Sequence, residues 1–279
     1  MEYKDITYEV VDRVARITAN RPRYCNAQST PMLIEMDHAF ERANFDLDVR
    51  VIVLGGAGDH FSAGHDLGTP EETEYRATEY TIEEGVRGRY NHTREQFVDK
   101  TLRWRNVQKP TIAAVQGYCI FGGWIIASAM DVIFAAEDAM FLGTNFQYFS
   151  IPWDIHHRKA KEILFESRFV DAEEALALGL VNRVVPRDRL NDEVMEYAAT
   201  VAENDPFQLR MIKLAVNGAQ DAQGFNQHIT AAHSSFLLSS QGEKDPDYAL
   251  AAPDGRRRPM VQQAMAKYEA AQAKKRGER

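Results

Sequence analysis

Small and polar residues follow directly after a predicted buried strand. The strand Arg50–Leu54 leads through the glycine-rich stretch 55–58 into His60–Gly68, whose sequence is HFSAGHDLG. Glycine and alanine beyond a strand end let another group come close to the backbone. The pattern therefore predicts a contact between a ligand and main-chain atoms, with tight turns as the alternative use of the glycines.

One carboxyl group stands close to basic side chains further along the chain. Asp154 is followed by His156, His157 and Arg158. An aspartate near histidines can transfer protons. Asp154 also directly precedes a predicted helix, Ile155–Glu166, where it would be a favourable N-cap. Both roles stay open here, and the histidines are equally consistent with solvent-facing positions in a first helical turn.

Composition and charge limit the class of partner. The chain has 279 residues, 44% of them hydrophobic, and a formal net charge of -8, which is typical of a globular protein with a sizeable core. The segment Gly255–Arg279 holds eight Lys or Arg and two Glu, so it carries +6 and leaves -14 for the rest. This acidic body argues against nucleic acid as the main partner. The basic tail is either a solvated helix end or a contact for a phosphate-bearing ligand or an acidic neighbouring subunit.

The cysteine count and the hydropathy pattern favour a reducing cytoplasmic location. Cys25 and Cys119 are too few for a disulfide framework, and no Cys/His spacing is typical of a metal site, so we expect neither a metal nor another cofactor. No apolar run approaches the ~20 residues that cross a bilayer, and the N-terminus has no signal-peptide pattern. We therefore expect no membrane partner.

Strands and helices alternate along the first two thirds of the chain. Apolar runs such as Thr111–Gln116 predict buried strands, and Gly122-Gly123 opens the apolar helix Trp124–Met130. Beyond about Leu190 the pattern is helical, with a polar link at Asp245–Gly255 before a last helix. This order predicts an α/β core followed by a helical C-terminal region.

Four segments in this order resemble the crotonase superfamily, the enoyl-CoA hydratase/isomerase family. They are NRPRYCNA at 20–27, HFSAGHDL at 60–67, PTIAAVQGYCIFGG at 110–123 and VDAEEALALGLVNRVVP at 170–186. The resemblance implies a crotonase-like spiral of ββα units over residues 1–195. It implies a helical oligomerisation region over residues 196–279 with a basic tail at 255–279. A homotrimer or dimer of trimers is expected.

The resemblance also implies a coenzyme A thioester as substrate, with no separate cofactor. In this family two backbone N–H groups form an oxyanion hole for the thioester oxygen, and the matching residues here are His65 and Gly122. At Gly122 the positive end of a helix dipole would add to the donor. The positions matched to coenzyme A and substrate binding are Arg23, Tyr24, Cys25, Ala63, Gly64, Gly123 and Trp124.

The chain departs from the family at the two acid–base positions. Hydratases of this family use two glutamates, but the matching residues are Ile125 and Asn145. An aliphatic side chain transfers no proton, and an amide orients water but is no base near neutral pH. Asp154 lies where other branches carry a functional aspartate. We therefore expect Asp154 to be the acid–base group of an isomerase or atypical hydratase, with Asn145 orienting water in the second case.

Alternatives follow from the same departures. Asp154 with a nearby histidine is compatible with hydrolysis of a C–C bond in a β-diketone or β-keto acyl-CoA. Loss of both glutamates is compatible with a non-catalytic binding subunit. The long insert 67–110 carries aromatic residues that line either a bulky acyl site or the core; they are Tyr75, Tyr80, Tyr90, Phe97 and Trp104.

Overall fold

The computed structural model describes residues 1–241 and 259–277. Its strands are β1 (Ile6–Val11), β2 (Val14–Ala19), β3 (Val51–Gly56), β4 (Thr111–Val115), β5 (Tyr118–Ile120), β6 (Val132–Ala136), β7 (Met140–Leu142), β8 (Val170–Asp171) and β9 (Arg183–Val185). Its helices are α1 (Thr30–Phe45), α2 (Pro70–Thr78), α3 (Gly85–Thr93), α4 (Lys100–Arg105), α5 (Gly122–Ser128), α6 (Ile151–Asp154), α7 (His157–Glu166), α8 (Ala172–Ala177), α9 (Leu190–Ala202), α10 (Pro206–Ala222), α11 (Phe225–Gln241) and α12 (Pro259–Lys275). A π-helical turn, Arg94–Asp99, joins α3 to α4.

The main sheet has the strand order β1-β2-β3-β4-β6-β9. Only β1 and β2 pair antiparallel, through a turn at Asp12 and Arg13 that both have positive φ. The other neighbours pair parallel. Central strands such as β4 are fully buried because helices cover both faces, which explains their unbroken apolar sequence. The predicted α/β class is confirmed.

Apolar side chains pack on both faces of this sheet. The larger cluster lies against α1 and α5, and the smaller one forms between the sheet and α9 through residues such as Val53, Phe134 and Val194. Phe225 and Ile229 of α11 and Ala264 of α12 belong to the larger cluster. The C-terminal helices therefore share the core of the α/β part.

A second, three-stranded sheet positions the loops that leave the main sheet. Its order is β5-β7-β8. Phe61 N donates to Gln116 O at 2.7 Å, and Ser62 N donates to Tyr118 O at 2.9 Å. The stretch after β3 is thus hydrogen-bonded to the stretch after β4, because both strands end at the same edge of the parallel sheet.

The predicted helix Ile155–Glu166 is present as α7 but begins two residues later, at His157, and the expected Asp154 N-cap is wrong. Asp154 is instead the last residue of the short helix α6, and α7 begins at His157. The N-cap of α7 is His156, whose Nδ1 accepts from Arg158 N at 3.3 Å. Proline is favourable in the first turn of a helix, and Pro152 lies in the first turn of α6, so a helix begins before the predicted start at Ile155. Asp154 is therefore released from a capping role.

Two other expectations concern the C-terminal part. The helix predicted after the polar link is present as α12, whereas the link Asp245–Gly255 itself lies outside the described residues. Within the described part of the chain, none of the helices has the length and apolar character needed to cross a membrane.

Candidate active site

Gly64 brings the two loops into direct backbone contact. Its φ is +91°, and a Cβ there would lie 2.8 Å from Ile120 O and 3.0 Å from Gly122 N. Both the backbone conformation and the lack of space therefore require glycine. This contact places His65, the next residue, beside Gly122.

Gly122 is the first residue of α5, so its N–H has no carbonyl partner within the helix. The preceding Phe121 has φ 49° and ψ -106°, an unusual conformation for an aromatic residue. A Cβ at Gly123 would lie 2.5 Å from Ser62 O. The start of α5 is therefore held tightly against the stretch after β3, with strained backbone on one side.

The imidazole of His65 occupies the space that a side chain at residue 122 would need. A Cβ on Gly122 would lie 2.7 Å from both Cε1 and Nδ1 of His65 and 2.7 Å from Gln28 Oε1. Phe97 stacks on the imidazole with ring centroids 3.7 Å apart. Gln147 Oε1 lies 3.4 Å from His65 Nε2. The ring is therefore fixed between α5 and the π-helical turn that carries Phe97.

The residues matched to coenzyme A binding form one neighbouring surface. Ala63 N donates to Cys25 O at 2.9 Å, and Cys25 has a left-handed φ of 52°. The Arg23 side chain is 75% exposed and stacks over the Tyr24 ring at 4.8 Å. The Tyr24 hydroxyl donates to the carboxylate of Glu71. The site thus offers backbone groups and one exposed cation together.

A buried ion pair holds this surface to the stretch 60–68. Arg21 donates to Asp66 at 2.8 Å, and both side chains are almost fully buried. Burial acts to raise the pKa of Asp66, but hydrogen bonds from Thr69, Gly68 and Arg21 outweigh it and hold the pKa below its ordinary value. The pair fixes the loop geometry on either side of Gly64.

Asp154 has the environment of an acid–base group. Burial raises its pKa from the ordinary 3.8 to about 6, and the hydroxyls of Ser150 and Ser128 partly oppose that rise. Ser150 Oγ donates to Asp154 Oδ2 at 2.8 Å. Ser128 Oγ is close enough to lower the pKa of the Asp154 carboxyl. It makes no hydrogen bond of normal geometry to any described residue. A pKa near neutral suits proton transfer in either direction.

Asp154 borders a cavity of about 520 Å³ between the α/β core and the C-terminal helices. Arg105 and Tyr148 contribute to its wall, and Arg105 pairs with Asp221 at 3.3 Å. Tyr148 is fully buried, and its hydroxyl has no hydrogen-bond partner among the described residues. Burial raises the pKa of Tyr148. The cavity is large enough for a bulky organic group.

The structure separates the two residues predicted to form an oxyanion hole from Asp154. Neither His65 nor Gly122 lines the cavity that Asp154 borders. Asp154 lies near Ser128 at the opposite end of α5 from Gly122, a distance of about 9 Å along the helix axis. A group held in the hole would therefore reach Asp154 only through an extended acyl chain.

The remaining predicted site residues differ in accessibility. Ile125 and Trp124 are buried in the core, and the Trp124 ring packs edge-to-face on Phe141. Asn145 is exposed. His156 and His157 are exposed and face each other, with ring centroids 4.3 Å apart.

The aromatic residues of the insert divide between core and site. Trp104 is 1% exposed and stacks on Phe40. Phe97 contacts His65, and Tyr80 is hydrogen-bonded to the side chain of Gln96 at 3.1 Å. Tyr75 is half-buried and Tyr90 is exposed. Of these five, Phe97 stacks on the imidazole beside Gly122.

Sequence reasoning missed several residues of both regions. Gln147 and Gln28 contact the surroundings of His65, and Ser128, Ser150 and Tyr148 surround Asp154. Ser128 is the one with a usable signal, because it follows Ile125 at i+3 and so shares its side of α5. Gln147 lies in an irregular loop, where no periodicity predicts which side chain turns inward.

Comparison with known proteins defines the class. Residues 9–245 match the enoyl-CoA hydratase/isomerase family model. The protein EchA13 of Mycobacterium tuberculosis is 38% identical over 246 residues, which are 81% of this chain and 77% of that protein. The chain belongs to the enoyl-CoA hydratase/isomerase family, within the crotonase superfamily.

Solved structures agree with this fold. A probable enoyl-CoA hydratase from Mycobacterium smegmatis is 42% identical with a TM-score of 0.77, covering 84% of this chain and 93% of that one. An enoyl-CoA hydratase/isomerase from Xanthobacter autotrophicus Py2 is 32% identical with a TM-score of 0.78, covering 99% of this chain and 95% of that one. The expected crotonase-like fold is confirmed, and acyl-CoA substrates are those the family implies.

Proposed function

We propose that this protein is an acyl-CoA isomerase that holds a thioester oxygen at the N–H groups of His65 and Gly122 and uses Asp154 as a proton-transfer group. The carrying observation is Asp154, whose carboxyl combines burial, a pKa raised to about 6 and a cavity at its side. Two backbone donors aimed at the same oxygen stabilise negative charge as it develops, each by about 3 kcal/mol.

Isomerisation fits the residues better than the two-glutamate hydration mechanism. Ile125 is apolar and buried, and Asn145 is exposed, so neither supplies the paired carboxylates. A double-bond shift takes a proton from one carbon and returns a proton to another, with no change in composition. One carboxyl of suitable pKa can serve one end of that shift.

The separation of about 9 Å along α5 specifies where Asp154 acts. A thioester carbonyl at Gly122 puts its neighbouring carbon near the start of α5, whereas Asp154 lies beside Ser128 at the end. We therefore assign Asp154 to a carbon several bonds from the thioester. The substrate is then a long or ring-containing acyl chain with unsaturation extending away from the thioester, and the 520 Å³ cavity has the volume for its distal part.

Coenzyme A binding is assigned to the surface formed by Arg23, Tyr24, Cys25 and Ala63. Exposed Arg23 suits a phosphate, and the Ala63–Cys25 backbone contact gives the surface a fixed shape. Neither Cys25 nor Cys119 forms a disulfide, and we propose a reducing cytoplasm as the location.

We also propose assembly as a homotrimer or a dimer of trimers. The helix α10 exposes several large apolar side chains, including Phe207 at 65% and Val216 at 62%. Such a surface is typical of a subunit contact. Light scattering of the purified protein measures the assembly mass, and a monomer would contradict this part of the proposal.

The experiment for the proposed reaction uses mass spectrometry in deuterated water. The protein and its Asp154→Asn variant are incubated with 2-enoyl-, 3-enoyl- and dienoyl-CoA thioesters of linear, alicyclic and aromatic acyl groups. We expect the unmodified protein to give isomerised product carrying solvent deuterium. The variant should bind the thioesters but lose at least 100-fold in turnover. Unchanged turnover in Asp154→Asn contradicts the assignment.

A second variant connects turnover to the raised pKa. Ser150→Ala removes the hydroxyl that donates to Asp154, so the pKa of Asp154 should rise further. The inflection of the pH–rate profile then moves to higher pH while the same product forms.

The mass of the product distinguishes the alternative functions. Addition of one water to the substrate would indicate a hydratase, and fragments would indicate a C–C hydrolase. Binding without any product across the whole set would favour a non-catalytic subunit.

A further inference from the structure

The two proposed backbone donors share one feature, a residue with positive φ directly before each of them. Gly64 precedes His65 and has φ +91°, and Phe121 precedes Gly122 and has φ 49° with ψ -106°. A backbone N–H belongs to the same planar peptide unit as the carbonyl of the preceding residue, so that residue's ψ determines where the N–H points. At one donor the preceding residue is glycine, whereas at the other it is phenylalanine.

The backbone at Phe121 is strained. Glycine adopts this combination of φ and ψ readily, but a residue with a Cβ does so only at a cost in free energy. An N-cap residue ordinarily has an extended backbone, which Phe121 does not have. Strand β5 ends at Ile120 and α5 begins at Gly122, so a single residue makes the whole turn from strand to helix. The strain follows from that short connection.

Two backbone hydrogen bonds show what the turn does to the Gly122 donor. Phe121 N donates to Leu142 O at 2.9 Å, next to the pairing of β5 with β7. Phe121 O accepts from Ile125 N at 3.1 Å, so this carbonyl points along α5 toward its end. The carbonyl and N–H of a trans peptide point in opposite directions, so the Gly122 N–H points out of the helix start. A Cβ on Gly64 would lie 3.0 Å from this nitrogen, which puts the donor beside the other loop.

Burial of the Phe121 ring opposes relaxation of the turn. Phe121 is 8% exposed and belongs to the larger apolar cluster. Its Cβ lies 3.2 Å from the point that a Cβ on Gly64 would occupy, so the side chain packs directly against the neighbouring loop. A change to negative φ would move the ring away from these contacts. Burial of an aromatic ring is favourable enough to balance strain of this kind.

We propose that Phe121 is a positioning residue for the oxyanion hole: burial of its ring holds a turn that would otherwise relax, and the turn directs the Gly122 N–H at the thioester oxygen. This inference rests on the proposed function of the same site. The ring takes no part in proton transfer, and its effect passes through the direction of one N–H group. Glycine at residue 121 would adopt the same turn without strain, whereas alanine would keep the strain and lose the ring that balances it.

A pair of variants separates the backbone from the ring. Phe121→Gly and Phe121→Ala both remove the ring, but only the glycine also removes the strain. Infrared difference spectroscopy of bound butenoyl-CoA labelled with ¹³C at the carbonyl reports the N–H contact, because hydrogen bonds lower the stretching frequency. We expect Phe121→Gly to keep most of the shift. Phe121→Ala should lose the shift and about 100-fold in kcat, with KM nearly unchanged, because one donor is misdirected.

Urea unfolding measures the strain without any substrate. A glycine variant ordinarily unfolds at lower urea concentration than the alanine variant, because glycine has more freedom in the unfolded chain. At residue 121 we expect the reverse order. Phe146 is the matched control, since it is buried in the same cluster but does not have a positive φ. Phe146→Gly should unfold at lower urea concentration than Phe146→Ala, and Phe146→Ala should keep the carbonyl shift.

A conservative variant completes the test. Phe121→Leu keeps the Cβ and most of the apolar volume, so it should retain the carbonyl shift even if the alanine variant is poorly folded by circular dichroism. An equal loss of the shift in the glycine and alanine variants would assign the effect to the ring and overturn the inference. An alanine variant with the full shift would overturn it as well. A wild-type complex without any shift would remove the oxyanion hole, so the proposed function would fail together with the inference; the other outcomes leave the proposed function intact.

Discussion

Replacing Asp154 by asparagine should make the protein more stable at alkaline pH, although it removes the proposed proton-transfer group. Burial raises the pKa of Asp154 from 3.8 to about 6, so the folded state binds the proton more tightly than the unfolded state does. Above pH 6 the carboxylate is ionised in both states, and keeping it charged in the fold costs about 3 kcal/mol. Below pH 3.8 it is protonated in both states and this cost is absent.

The asparagine variant carries no charge to bury. Its amide oxygen can still accept from Ser150 Oγ, and its NH₂ group faces Ser128 Oγ, which lacks a hydrogen-bond partner among the described residues. We therefore expect Asp154→Asn to exceed the unmodified protein in free energy of unfolding by about 3 kcal/mol at pH 8. The difference should shrink as the pH falls through 6 and be nearly gone at pH 4.

Urea unfolding of both proteins at pH 8, 7, 6 and 5 measures the difference directly. The other titrating groups are common to the two proteins and cancel. Asp131→Asn is the matched control: Asp131 borders the same cavity but pairs with buried Lys213 at 2.8 Å, so its loss should destabilise. A difference between wild type and Asp154→Asn that does not vary with pH, or a less stable variant at pH 8, would refute the reasoning.

Three further predictions test the packing of the site. Gly122→Ala should lower turnover at least 100-fold, because its Cβ would displace His65, whereas Gly218→Ala in open space on α10 should stabilise by about 1 kcal/mol in urea unfolding. Tyr148→Phe removes a buried hydroxyl without a partner in the described chain, so thermal unfolding should show equal or greater stability, and a loss above about 1 kcal/mol would contradict this. Asp66→Ala leaves buried Arg21 with only the longer ion pair to Asp5, at 3.6 Å, and should cost about 3 kcal/mol in urea unfolding. The low pKa of Asp66 means that wild type loses this contribution as the pH falls through that pKa, and an acid-insensitive difference would argue against it.

The sequence was sufficient for the elements with strong local signals. Ser29 caps α1 as Ser-Thr-Pro predicts, and Asp171 caps α8 by accepting from Glu174 N. The Gly-Gly pair opens α5. For the two capped helices the hydrogen-bonding side chain and its backbone partner are within a few residues, so the local sequence is enough to predict the helix start.

The site was less predictable because its contacts are distant in sequence. His65 touches Gln147, 82 residues away, and neither residue's local pattern indicates the other. For Asp154 an N-cap and an acid–base role were both open, because the helix was predicted to begin at Ile155. Pro152 instead starts the short helix α6, and His156 is the cap of α7. The distance between Asp154 and Gly122 also depends on the tertiary structure, because Gly122 begins α5 whereas Asp154 of α6 packs near Ser128 at the end of α5.

The proposed function depends most on a thioester carbonyl that is held by the N–H groups of His65 and Gly122. Infrared difference spectroscopy of a butenoyl-CoA labelled with ¹³C at the carbonyl measures that contact directly when the thioester binds to the protein. Two N–H donors should shift the carbonyl stretch to lower frequency than in water, and Gly122→Ala should lose the shift while circular dichroism stays unchanged. A bound carbonyl that vibrates as it does in water, or a shift that Gly122→Ala leaves intact, would contradict the assignment of the oxyanion hole.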